Sequence, residues 1–230
     1  MKTLYHGSPS IIENPEHGKG NPRNDYGLGF YCTESIEPAR EWACLTKSGG
    51  FVNIYTIDTT GLNILNLSES SFTILRWLAI LVNNRTLRTH NRLAAQAKEY
   101  LRVHFLPDVS IFDVITGYRA DDSYFAFAMD FLNNTISIKQ LDRAMHLGKL
   151  GQQFMIRSKK AFEILRFIGS EKVDGEIYYA KRLARDNEAR KQYLQEQRNA
   201  TALADDLFMI DILREEIKQD DARLQSAVFG

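Results

Sequence analysis

Two glycine-bearing segments near the start of the chain constrain its fold most. They are Leu4-Tyr5-His6-Gly7-Ser8 and Asp25-Tyr26-Gly27-Leu28-Gly29-Phe30-Tyr31-Cys32-Thr33. Each joins β-favouring aromatic and aliphatic residues to glycines, the pattern of a strand that another backbone or a ligand approaches closely. Met1 to Tyr5 reads as a strand ending in a His6-Gly7-Ser8 turn, and Tyr26 to Thr33 as a second strand. The Gly-, Pro-, Asn- and charge-rich stretch Ile11 to Asn24 between them reads as a loop. Glu34 and Ser35 then open a helix, in which Pro38 suits the first turn and Ala39, Trp42 and Ala43 form an apolar face.

The remaining pattern alternates strand and helix. Phe51, Asn53, Tyr55 and Ile57 alternate with Val52, Ile54 and Thr56, a strand signature, and Leu62 to Leu67 reads as another extended piece. Residues 68–106 form a helical insertion, with Phe72, Leu75, Leu78 and Val82 at helical spacing, then Leu93, Ala97, Tyr100 and Leu101. Strand character returns at Ile111 to Thr116, helices follow at Ser123 to Leu132 and Ser137 to Leu147, and Gln153 to Arg157 is a strand. Ser158 to Leu165 is a short helical turn, and Leu165 to Ile168 closes the sheet. Beyond Gly175 the chain turns charge-rich and helical from Ile177 to Arg198, with Asp186 and Arg190 at a favourable four-residue spacing. Leu203, Leu207, Ile210 and Ile217 then repeat on one helical face. The expected organisation is an α+β domain over residues 1–174 with a helical appendage, 175–230, packed on it.

Charge and cysteine usage narrow the function classes. Lys+Arg and Asp+Glu both number 29, so no net field draws the chain to nucleic acid or an anionic membrane. Cys32 and Cys44 form neither a disulfide framework nor a metal site, which points to a reducing, cytoplasmic setting. The apolar run Phe72 to Val82 contains Arg76 and has about half the length a membrane span needs. The opening Thr3-Leu4-Tyr5 reads as a strand rather than a leader. His17, His90, His104 and His146 lack metal-ligand spacing, and Gly27-x-Gly29 lacks the third glycine of a dinucleotide fingerprint.

A His-Gly pair in Leu4–Ser8, a Gly29-Phe30-Tyr31 strand and the Ile36–Ala43 helix together resemble the NAD-binding half of the ADP-ribosyltransferases. The likeness is to the poly-ADP-ribose polymerase and diphtheria-toxin branch, and above all to a bacterial group of such domains that tend to act as intracellular toxins or effectors. It spans roughly residues 1–170 and does not extend into the tail. It implies two packed β-sheets around an NAD cleft, with NAD as substrate and no metal. His6 would bond a ribose hydroxyl, and the Gly7 backbone would pair with the nicotinamide carboxamide, with Ser8 beside it. Tyr31 and Trp42 would wall the nicotinamide slot, although two aromatics on adjacent elements are also ordinary core. Ala39 falls where the polymerases carry a carboxamide-binding serine.

The segment Gly151 to Ile156 resembles the late strand that begins with a catalytic glutamate, and Gln153 stands in that place. A glutamine hydrogen-bonds ribose hydroxyls but carries no charge and cannot act as a base. The resemblance therefore implies mono-ADP-ribosylation of a macromolecular acceptor, protein or nucleic acid, rather than polymer elongation. Asp121 or Asp122 could assist at the acceptor, or simply cap the next helix. Arg23 could grip the diphosphate, or be a solvated loop charge. The tail could shape the acceptor site or bind a neutralising antitoxin. An NAD glycohydrolase, or a module that binds NAD, ADP-ribose or a protein without chemistry, are the rival readings.

Overall fold

The computed structural model describes residues 1–69, 73–87, 91–120, 122–147, 151–199 and 206–226, with Asp122, Gln225 and Ser226 described by backbone alone. One sheet has the order β1-β3-β7, formed by β1 (Lys2–Ser8), β3 (Gly50–Ile57) and β7 (Arg166–Val173), all antiparallel. The other has the order β2-β6-β5-β4, formed by β2 (Phe30–Cys32), β6 (Gln152–Ile156), β5 (Val114–Tyr118) and β4 (Ile64–Asn66). Its β4–β5 pair is parallel and the others antiparallel. The Tyr5–Thr33 bridge joins β1 to the chain just past β2.

Side-chain alternation explains the layering, because successive residues of a strand face opposite sides. Leu4, Tyr55 and Ile57 of the first sheet meet Cys32, Val114, Phe154 and Ile156 of the second, forming a core between the sheets. Val52 points the other way, onto Ala39 and Ala43 of α1 (Ile36–Ala43). Ile115 and Met155 face away from the first sheet, into a third core built by helices. These are α2 (Ile74–Asn84), α3 (Arg92–His104), α4 (Asp122–Leu132) and α5 (Ile138–His146). In α2, Leu75, Trp77, Leu78 and Val82 are fully buried, each worth about 1.5–3 kcal/mol of burial for its largely apolar side chain. Phe72, read with that face, lies outside the described residues.

A short α6 (Lys159–Ile164) precedes β7, and α7 (Gly175–Asn199), α8 (Met209–Arg214) and α9 (Ala222–Ser226) follow it. Ala189, Tyr193, Leu207, Met209, Ile212, Ile217 and Leu224 are buried in the helical core, and the Tyr193 ring stacks on Phe127 at 4.0 Å. The tail therefore completes the core of the preceding region. No helix among the described residues is long and apolar enough to cross a membrane.

Several boundaries differ from the sequence expectation. His6-Gly7-Ser8 is not a turn: β1 runs through it, paired with Phe51 to Asn53. The stretch before Phe30 is not strand but turn, with Gly27 at φ 83°. Gly27 and Gly29 also make room for protein rather than ligand: a Cβ on Gly29 would lie 2.3 Å from Met155 Sδ, and one on Gly27 would press on Asn84. A 3₁₀ turn occupies Val109–Ile111 before β5 begins. Ile210 lies in α8, but Leu207 precedes it and Ile217 follows it, so the expected single helical face does not form. Leu203 lies outside the described residues.

Candidate functional site

The β1 and β2 strands part just beyond the Tyr5–Thr33 bridge, and the opening they leave is the rim of the candidate site. Tyr5 and Thr33 exchange N–H···O bonds of 2.8 and 2.9 Å. In an antiparallel ladder such bonds alternate along the strand, so it is Leu4 and His6 that bond to β3. Gly7, like Tyr5, turns its N–H and C=O to the opposite edge. Continued past the bridge, the same register would set Gly7 against Tyr31, but the Tyr31 carbonyl lies 2.6 Å from His6 Nδ1 instead. One backbone donor and one acceptor are thereby left on an edge at which the neighbouring strand has turned away.

Gly7 also lies directly under α1. A Cβ there would lie 2.0 Å from Ala39 O, 2.5 Å from Ala43 N and 2.8 Å from Trp42 Cβ. The missing side chain thus lets the helix, rather than a ligand, approach, and the approach brings Trp42 beside the open edge.

A cleft of about 170 Å³ lies against Tyr31 and Trp42, and no residue of β1 lines it. Tyr31, Trp42 and Gln153 line it, so the structure brings together three side chains predicted from separate segments. Asn24, Asp25, Arg85 and Arg119 complete the wall. The cleft's volume is on the order of that taken by one six-membered ring, and its lining is mostly polar. Larger hollows, about 460 Å³ between α5 and α7 and about 540 Å³ between α3 and α8, are surface grooves remote from these residues.

Tyr31 is anchored rather than free: its hydroxyl donates to Gly27 O at 2.6 Å and accepts from Tyr26 N–H at 3.1 Å. Burial raises its pKa well beyond the ordinary phenol range. The Arg119 guanidinium sits over the Trp42 ring, 3.9 Å from its centroid, while the buried Trp42 indole N–H has no hydrogen-bond partner. His6 does not line the cleft. It lies behind it, its ring 4.4 Å from that of Phe30, and reaches the cleft through the Tyr31 backbone. Because a carbonyl can only accept, Nδ1 carries the proton, and in the neutral ring Nε2 is left as an acceptor. Burial lowers the His6 pKa below its usual 6.5, against a smaller opposing effect of the Tyr31 bond, which favours that neutral form.

The polar floor of the cleft was not foreseen. Asp25 is 5% exposed, and both its oxygens are taken. Arg85 donates to Oδ1 at 2.8 Å, while Ala120 N–H at 2.9 Å and Gln153 Nε2 at 3.1 Å donate to Oδ2. Gln153 Nε2 also donates to Tyr118 O at 3.1 Å, a carbonyl that accepts from Tyr26 Oη and from Trp77 Nε1 as well. Asn84 and Arg85, at the end of α2, clasp the loop before β2, since Asn84 Nδ2 donates to Asp25 O at 3.3 Å. The helical insertion thus builds the site. Asp25 stood within the recognised segment, but its partner Arg85 follows a helix sixty residues on and carries no local signal.

Other expected residues lie elsewhere. Ser8 is buried and locks the loop after β1, bonding Ser10 O and accepting from Asn53 Nδ2 at 2.9 Å. Arg23 is exposed, and its backbone N–H donates to Asn21 Oδ1. Ala39 is wholly buried against β1. Asp121 lies outside the described residues, and Asp122 is known only as the first residue of α4. Cys32 and Cys44 are free, buried thiols. Among the described residues no group of His, Cys, Asp and Glu is arranged to hold a metal ion.

The fold and site define an α+β protein with a ring-sized polar cleft where two sheets separate. The chain belongs to the family described as Protein of unknown function (DUF3990), which matches residues 2–167, from β1 into β7. Comparison with the curated proteins and with the solved structures gave no match.

Proposed function

We propose that the chain is a mono-ADP-ribosyltransferase of the ADP-ribosyltransferase fold, which cleaves NAD and passes ADP-ribose to a macromolecular acceptor. The observation that carries this reading is the convergence of Tyr31, Trp42 and Gln153 on one cleft, with Gly7, whose N–H and C=O turn away from β3, packed under Trp42. A carboxamide carries one donor and one acceptor in complementary positions, so those Gly7 groups suit nicotinamide.

In the proposed reaction the bond between ribose C1′ and the nicotinamide nitrogen breaks, its electron pair neutralising the pyridinium. Positive charge develops at C1′, and an acceptor nucleophile forms the new bond there and loses its proton. The protein's contribution is position and charge. Aromatic walls hold the ring, Gln153 meets a ribose hydroxyl, and His6 sits one backbone carbonyl behind. Arg119 brings positive charge to the cleft for the diphosphate, which exposed Arg23 does not line, while Arg85 is spent on Asp25 and Ala120 O. The reading places the protein among intracellular toxins or effectors.

Incubation with NAD labelled in its ADP-ribose half, with and without cell extract, tests the proposal. Label on a macromolecule, lost in Trp42→Ala and Gln153→Ala, is the expected result. Free ADP-ribose formed equally without extract would make water the acceptor and the protein a glycohydrolase. NAD binding without nicotinamide release would leave a binding module.

A further inference from the structure

We propose that Asp25 is the positioning carboxylate of the cleft: it fixes the Gln153 amide with its carbonyl oxygen outward. The inference rests on the transferase reading and deepens it.

The orientation follows from who can donate. Gln153 Nε2 lies 3.1 Å from Asp25 Oδ2 and 3.1 Å from Tyr118 O, and both of these oxygens only accept. Both amide hydrogens are therefore committed inward, and Oε1 is the end left for the cleft. Gln153 is 4% exposed, so the amide cannot turn over without breaking both bonds in a buried setting. A ribose hydroxyl entering the cleft must then donate to Oε1, which is the sense in which it would donate to a carboxylate.

Asp25 is itself held by Arg85, which balances its charge, and by Ala120 N–H, so its carboxylate cannot swing into the cleft as a base. It acts through Gln153, polarising the amide so that Oε1 becomes a better acceptor. The same geometry explains why position 153 holds an amide. A second carboxylate there would stand against the first at hydrogen-bond distance, and two such groups cannot both ionise freely.

Four proteins test this: the natural chain, Asp25→Asn, Gln153→Glu, and the exchange Asp25→Asn/Gln153→Glu, in which an introduced amide again donates to an introduced carboxylate. Nicotinamide release from NAD and the thermal midpoint are each followed from pH 5 to pH 8. Each single variant should lose about 10²-fold in kcat with little change in KM for NAD, because a misplaced group costs orientation rather than affinity. Gln153→Glu should also lose thermal stability as pH rises, since the carboxylate pair prefers to keep one proton. The exchange should recover most of kcat and follow the natural chain's pH profile. The charged groups beside the pair, Arg85 and Arg119, and His6 are common to all four proteins, and burial holds Tyr26 and Tyr31 neutral over that range. Gln153→Glu as active as the natural chain at pH 8, or an exchange no better than either single variant, would overturn the proposal. If the natural chain releases no nicotinamide, the transferase reading fails and the thermal data decide the rest. A pH-dependent loss in Gln153→Glu that the exchange removes upholds the lock, and four parallel curves overturn it.

Discussion

Replacing Gly7 with alanine adds one methyl group at the point where α1 touches β1. The new carbon would meet Ala39 O at 2.0 Å, Ala43 N at 2.5 Å and Trp42 Cβ at 2.8 Å. None of these is the movable end of a flexible side chain, so α1 itself must shift outward by about an ångström. Overpacking of this kind costs about 1–3 kcal/mol, and opposition from two backbone atoms of α1 puts the cost near the top of that range. For a domain of this size each kcal/mol lowers Tm by about 2–4 °C, so Gly7→Ala should melt about 6–12 °C below the natural chain by calorimetry. The same shift carries Trp42 away from the cleft and should weaken NAD binding in the same samples. Gly61→Ala is the comparison: nothing lies within 4 Å of that position, and the cost there is only the positive φ of 75°, about 1 kcal/mol. A Gly7→Ala protein that melts with the natural chain, or no lower than Gly61→Ala, would refute the claim that this contact sets α1.

Other perturbations read other parts of the account. Burial depresses the His6 pKa below 6.5, so the unfolded chain takes up that proton first as pH falls. His6 stabilisation should be complete above about pH 7 and fade toward pH 5, so the stability gap to His6→Gln, measured in urea, should narrow with acid. A gap that widens with acid would place a charged imidazole at β1. Arg119→Ala should bare one face of the Trp42 ring and increase its quenching by acrylamide; Trp77, fully buried, contributes little to that signal. Unchanged quenching would mean the guanidinium does not shield the ring. Truncation after residue 174 removes Tyr193 from Phe127 and should abolish the cooperative thermal transition, whereas a sharp transition would show the tail dispensable.

Local pattern made legible those elements whose two faces meet different surroundings. The β3 alternation could be read because Tyr55 and Ile57 face the opposing sheet while Val52 faces α1. The apolar stripe of α2 could be read because it fills the helical core. Glycine misled in both directions. At Gly7 it reads as the end of a strand, but it serves a helix crossing that strand. At Gly27 and Gly29 it reads as strand, but the chain there turns and packs on Asn84 and Met155. Tyr31, Trp42 and Gln153, which the family resemblance singles out, line one cleft. The Asp25–Arg85 pair is not legible locally, since it joins a loop to a helix end sixty residues away and each residue alone reads as an ordinary surface charge. The short C-terminal helix defeated periodicity for a related reason: Leu207 and Ile217 are buried from the turns that flank it, and no single helix relates them.

A crystal soaked with nicotinamide tests the central claim most directly. The account predicts the ring against Tyr31 and Trp42, its carboxamide on the N–H and C=O of Gly7, and Arg119 moved from the face of Trp42 it now covers. Arg119 still seated on that ring at saturating nicotinamide, with the ligand bound elsewhere or nowhere, would contradict it.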